Sequence, residues 1–174
     1  LLAEVDSHRV VPSFSYQNYE ANVGETLELT DDNNVLSKYD IVDNGGVTIT
    51  KNDNKLYIKS NEKKTVEITL SKRLENFASA PIVYVDNESQ NVMTKGSLDP
   101  VTTSFNIKFH GGKIDVTKVD KDTGVNKPQG SESSLKGAIY GIYNEKDVKV
   151  GTITTDENGK AVSSELPSLG KYYL

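Results

Sequence analysis

The chain has 174 residues, with 20 Lys and Arg against 25 Asp and Glu and a formal net charge of -5. That length allows one large domain or two small ones, and the acidic balance argues against an electrostatic nucleic-acid binder. With no cysteine there is no disulfide framework and no thiolate metal site, and no run of about 18 apolar residues suits a membrane span.

The chain opens on "LLAEVDSHRVVPSF", a strand-like pattern with no initiator methionine, so residues 1–12 are expected to be the end of a preceding domain or a linker. In "GETLELT", Leu27 and Leu29 share a face, and "DDNN" (31–34) breaks the strand. "VLSKYDIV" (35–42) reads as the next strand and runs into "DNGG" (43–46), a strong turn signal. Val47 with Ile49, Leu56 with Ile58, and Val66 with Ile68 and Leu70 then alternate at period two. An irregular "KRLENFASA" (72–80) precedes a strand at 81–86, whose Pro81 suits an edge. After the polar loop 87–100, Val101, Phe105, Ile107 and Phe109 align on one face. Short strands with a turn signal about every 8–12 residues predict an all-β, Ig-like sandwich over residues 13–110.

Composition shifts next. Residues 1–110 carry 11 basic and 16 acidic side chains and residues 111–174 nine of each, with Gly111-Gly112 at the step as a linker between modules. Strand "KIDVTKVD" is followed by a polar loop (121–136) and by "GAIYGIYN", which places Ala138, Tyr140 and Ile142 on one face. "VKVGTITT" and "KAVSSEL" flank "DENG" (156–159), a hairpin turn by composition, and "LPSLGKYYL" begins a further strand. A sandwich of 64 residues without disulfide or metal is marginal, so the natural chain is expected to continue past Leu174.

Within that second module Ile114 and Val116 point to one face of their strand, and the next position on that face is Lys118. An inward lysine at a strand end has two readings. It can snorkel its amine into water, or it can be buried to react, because burial disfavours the ammonium and turns it into a nucleophile.

The order "KIDVTKVDKDTG", "LKGAIYGIYN", "TTDENGKA", "LPSLGKYYL" resembles a collagen-adhesin B-type (Cna B-type) domain. These are prealbumin-like sandwiches from the stalks of Gram-positive surface adhesins and pilins. The resemblance implies that Lys118 is the nucleophile of an intramolecular isopeptide bond. Its acceptor would be an Asn or Asp on the last strand, with a buried Glu or Asp assisting. In the family both the acid and the acceptor come later than "KYYL", so neither is expected within residues 1–174. Glu165 is the nearest acid by sequence, but it precedes the "LPSLG" corner, where the family does not place its acid. Holding amine and carboxamide together replaces a bimolecular step with an intramolecular one. The protein would be its own single-turnover substrate, with no cofactor, no metal and no turnover enzyme activity.

"EVDSHRVVPSF" followed by "TLELTDDNNVLSKYDIVDNGGVTITKNDNKLYI" resembles the sandwich after a thioester-forming adhesin domain, whose reactive cysteine this chain lacks. Asn106 is a conceivable isopeptide acceptor for the first sandwich. The resemblances imply a stalk segment on the extracellular, cell-wall-attached surface of a Gram-positive bacterium. Its partners would be adjacent domains of the same protein, with neither nucleic acid nor membrane insertion. The competing reading is a ligand-binding module gripping host protein or glycan through residues 13–110. "TDDNN" (30–34) and "KNDNK" (51–55) carry oxygen ligands of the kind calcium takes, yet match no EF-hand loop and read as turns. His8 and His110 flank the expected module boundaries and read as surface or interface residues.

Overall fold

The computed structural model describes residues 9–72, 100–121, 123–125 and 134–174. His8, the strand expected at 81–86 with Pro81, and most of the segments 72–80, 87–100 and 121–136 lie outside these residues. The described regular structure is twelve strands and one 3₁₀ turn, an all-β architecture as the alternation predicts.

The chain divides into two compact units. The first holds Leu1–Tyr19, Thr26–Lys59 and Thr65–Lys108, and the second holds Glu20–Glu25, Ser60–Lys64 and Phe109–Leu174. The two short segments of the second unit come from inside the 13–110 range expected to form one sandwich.

Strands β1 (Asn18–Asn22), β7 (Val101–His110), β6 (Lys64–Lys72) and β3 (Asp40–Asp43) lie in that order in a four-stranded sheet. β2 (Thr26–Thr30), β5 (Lys55–Lys59) and β4 (Thr48–Asn52) make a three-stranded one. Register places Leu29 opposite Leu56, and Leu27 and Ile49 both opposite Ile58, so the apolar positions of three strands share one face. Leu56, Ile58, Ile68, Leu70 and Ile107 have no exposed surface, and each such side chain contributes about 1.5–3 kcal/mol over an exposed one. The turn at 43–46 forms as expected: Gly45 (φ +61°) and Gly46 (φ +77°) take left-handed conformations, and their N–H groups donate to Asp43 Oδ1 and Asn44 Oδ1.

One element differs. The strand expected over 35–42 begins as a 3₁₀ turn, η1 (Leu36–Lys38), and only then becomes β3. The cause is Asp31, whose buried carboxylate accepts N–H bonds from Val35 (2.7 Å) and Leu36 (2.8 Å) at Oδ2. Ser13 (2.8 Å) and Asn33 (2.9 Å) donate to Oδ1. These bonds curl the backbone where side-chain alternation alone reads as extended.

In the second unit β10 (Lys149–Thr154), β9 (Ile139–Asn144) and β12 (Tyr172–Tyr173) form one sheet. β11 (Lys160–Val162) and β8 (Asp115–Thr117) form another. Ile142, Ile153, Ala161 and Leu166 make the core, with Ile114, Val116, Tyr140, Val150 and Tyr172 packed on it. Residues 156–159 do turn the chain, with Asp156 Oδ1 accepting from Asn158 and Lys160 N–H. The strands they join, however, belong to different sheets, so the turn is a corner between layers and not the hairpin of a single sheet.

Candidate functional site

Lys118 follows β8 directly and is half-buried, on the inward phase of Ile114 and Val116. β8 is held by β11 through Thr117↔Lys160, Val116↔Ala161 and Asp115↔Val162. One step further, the Lys118 N–H donates to Gly159 O at 2.7 Å. Gly159 has φ +74°, and a Cβ there would lie 2.8 Å from Lys118 O and 3.1 Å from Leu135 Cβ. The corner glycine therefore does two things: it takes a left-handed conformation and lets the Lys118 backbone approach closely.

Leu135 closes the other side and is itself fastened. The buried Thr155 hydroxyl donates to Leu135 O (2.6 Å) and accepts the Ala138 N–H (2.9 Å). The Lys118 backbone is thus fixed by a strand, a corner and a pinned loop. Among the described residues no carboxylate forms an ion pair with its ammonium.

Glu165 stands elsewhere. Its Oε1 is 2.7 Å from His110 Nδ1 and its Oε2 is 3.9 Å from Lys63 Nζ, while His110 Nε2 lies 3.0 Å from Glu20 Oε1. His110 is therefore flanked by two carboxylates, both drawn from within the second unit. The sequence placed His110 at a module boundary but not beside either acid. Asn106 donates from Nδ2 to Asn18 Oδ1 at 3.3 Å, a side-chain pair on the solvent side of the sheet.

The first of the two calcium-like turns is held by its own backbone. All four bonds at Asp31 come from backbone N–H donors, which occupy the lone pairs a cation would need. Among the described residues no three acidic or histidine side chains converge on a metal position. Beside Asp31 the sequence missed Tyr39, which is fully buried and donates its hydroxyl to Val10 O at 2.6 Å. Burial, and then the Asp31 charge, push the Tyr39 phenol above its ordinary range. Lys72 sits over the Tyr39 ring at 5.9 Å, and burial followed by the Lys38 charge lowers its ammonium pKa. Period-two patterning could not have flagged Tyr39, because it lies between η1 and β3.

Residues 112–174 match the family model of the SpaA prealbumin-like fold domain. Over these residues the second unit is similar to a prealbumin-like domain. The match agrees with the Cna B-type resemblance that the sequence shows over the same residues. Two solved structures are similar to the chain. One is the thioester domain of the Staphylococcus aureus TIE protein, at 24% identity and TM-score 0.40, covering 62% of this chain and 46% of that one. The other is the T6 backbone pilin of serotype M6 Streptococcus pyogenes, at 17% identity and TM-score 0.35, covering 87% of this chain and 32% of that one. The chain thus spans about half the length of the first and a third of the second. No curated protein matches the chain. No described helix is long and apolar enough to cross a membrane.

Proposed function

We propose that the chain is a stalk segment of a Gram-positive surface protein, and that Lys118 is the amine of an intramolecular amide cross-link in its prealbumin-like domain. The acceptor is an Asn or Asp supplied by sequence outside residues 1–174. The observation that carries this reading is the placement of Lys118. It continues the inward face of Ile114 and Val116, and its backbone is locked by Gly159. A snorkelling lysine needs no such lock, whereas a nucleophile that must meet one carbonyl carbon gains from it.

In the reaction the neutral Nζ attacks the acceptor carbonyl carbon. The new C–N bond forms as the old C–N bond (Asn) or C–O bond (Asp) breaks, and the amine proton leaves with the ammonia or water released. No redox partner or cofactor enters.

The test is the intact mass of the protein with its following sequence, beside Lys118→Ala and a Lys121→Ala control. Loss of one ammonia or one water in the parent and in Lys121→Ala, but not in Lys118→Ala, supports the assignment. Full unreacted mass in a folded parent removes it.

A further inference from the structure

The first unit carries a groove unrelated to Lys118, where the chain before β1 passes β7. It has a volume of about 200 Å³ and is lined chiefly by Ser13, Ser15, Tyr16, Gln17, Thr103 and Ser104. Every residue lining it is uncharged, on a chain where 26% of residues are charged. Pro12, Phe14 and Phe105 complete the lining, so hydroxyls and one carboxamide supply its polar chemistry.

At its rim stands Tyr16, with 70% of its surface exposed. An exposed tyrosine ordinarily samples several rotamers, and here one aromatic neighbour stands against the ring. The Tyr16 N–H donates to the Tyr19 hydroxyl at 2.8 Å, and its ring meets that of Tyr19 edge-on at 5.8 Å. Tyr19 in turn meets Phe105 edge-on at 6.0 Å, and Phe105 meets Phe14 at 5.2 Å. Phe105 is buried, so a ladder of edge-to-face contacts ties the exposed ring to the core. The floor is fixed: the Gln17 carboxamide donates to Ser104 O, and the Ser104 and Thr69 hydroxyls are 3.0 Å apart.

An exposed aromatic face beside a neutral, hydroxyl-lined floor matches one ligand class. A sugar ring presents a C–H face that stacks on an aromatic ring and a rim of hydroxyls that both donate and accept. Serine, threonine and glutamine answer those hydroxyls in kind. An acidic or phosphorylated ligand would find no cation among the lining residues, and an apolar one would strand the hydroxyls. We propose that this groove binds a neutral saccharide unit, stacked on Tyr16 and hydrogen-bonded by Ser15, Gln17 and Thr103. Such a sugar could come from a host glycan or from the amino-sugar backbone of a cell wall.

The test is a ¹⁵N–¹H NMR titration of the whole chain with lactose and, separately, with an N-acetylglucosamine trimer. A neutral extended hexapeptide serves as a third probe. Saturable shifts at the Tyr16, Gln17 and Ser104 amides with a sugar are expected, and the sugar that produces them identifies the source. Tyr16→Ala should weaken that binding about tenfold or more, as truncation of an aromatic anchor does. Ser15→Val, at an exposed position, should weaken it without altering the spectrum of the Phe105 core. Absence of saturable shifts with both sugars, or shifts with the peptide alone, overturns the proposal.

Discussion

The paired glycines 111 and 112 read as a linker, and the structure assigns them opposite tolerances. An ideal Cβ on Gly111 would lie 1.9 Å from Leu166 O and 3.0 Å from both Leu166 C and N, whereas one on Gly112 would meet nothing within 4 Å. An ordinary carbon-to-oxygen contact is about 3.3 Å or more. Gly111→Ala therefore forces one of the two backbones aside by more than about 1 Å. That movement also breaks the Leu166 N–H bond to Gly112 O, now 2.7 Å. Overpacking costs about 1–3 kcal/mol and a lost hydrogen bond about 0.5–1.5, so the expected loss is about 1.5–4.5 kcal/mol. Gly112→Ala meets no neighbour and should fall within about 0.5 kcal/mol of the parent. Urea denaturation of the two variants, followed by a probe of the second unit, measures both. Equal stabilities would refute the steric argument, because the variants have the same composition and adjacent positions.

Three further outcomes follow from the same geometry. Gly159→Ala combines left-handed strain with a Cβ 2.8 Å from Lys118 O, and should cost about 2–4 kcal/mol in a thermal melt while moving the Lys118 amide resonance. Asp31→Ala strips the acceptor from four backbone N–H groups and should cost about 3–5 kcal/mol in urea denaturation, with Asp31→Asn restoring less than half; a loss under about 1 kcal/mol would remove the carboxylate from its role in shaping η1. Tyr39, whose phenol is held above its ordinary range, keeps its proton when the unfolded chain loses it above about pH 10. The unfolded state then binds fewer protons, so stability falls as pH rises through that range. Tyr39→Phe should cost about 1 kcal/mol at neutral pH, through the lost bond to Val10 O, yet flatten the alkaline decline in melts.

What the sequence made legible is what local patterning encodes. Leu56 with Ile58 and Ile68 with Leu70 announce their buried face through period two, and that pattern needs no knowledge of the partner strand. Glycine and aspartate likewise announce the turns at 43–46 and 156–159, because left-handed backbone and side-chain capping are local. The same logic put Lys118 on the inward phase of its strand. Contacts made across the chain leave no such trace. His110 meets Glu165 and Glu20, 55 and 90 positions away, and nothing in either neighbourhood signals the other. Asp31 shows the limit from the other side. Its residue type predicts a turn, but the donors it collects from Ser13 and Leu36 decide that the following segment curls before it extends. Gly111 gave no sign of its neighbour Leu166, because a glycine that opens a linker and one that admits a carbonyl read alike in sequence.

The mechanical consequence of the proposed cross-link follows from where β8 begins and ends. β8 is only three residues long, and its three pairs with β11 hold it by bonds worth about 0.5–1.5 kcal/mol each. Force applied to the second unit through Gly111 meets the Leu166–Gly112 and Ser163–Ile114 backbone bonds and then this short ladder, none of them covalent. The force path changes at Lys118. With an amide joining Lys118 to a later strand, tension leaves through that bond, and residues 119–174 stay unloaded. Only residues 111–117 could then be drawn out, a gain of about 25 Å at about 3.5 Å per extended residue. In Lys118→Ala the whole module lengthens, and its 64 residues alone extend to about 220 Å. Single-molecule pulling on the protein with its following sequence distinguishes these lengths without ambiguity. A long extension in the unsubstituted protein would contradict both the cross-link and the stalk reading that rests on it, while leaving the saccharide groove of the first unit untouched.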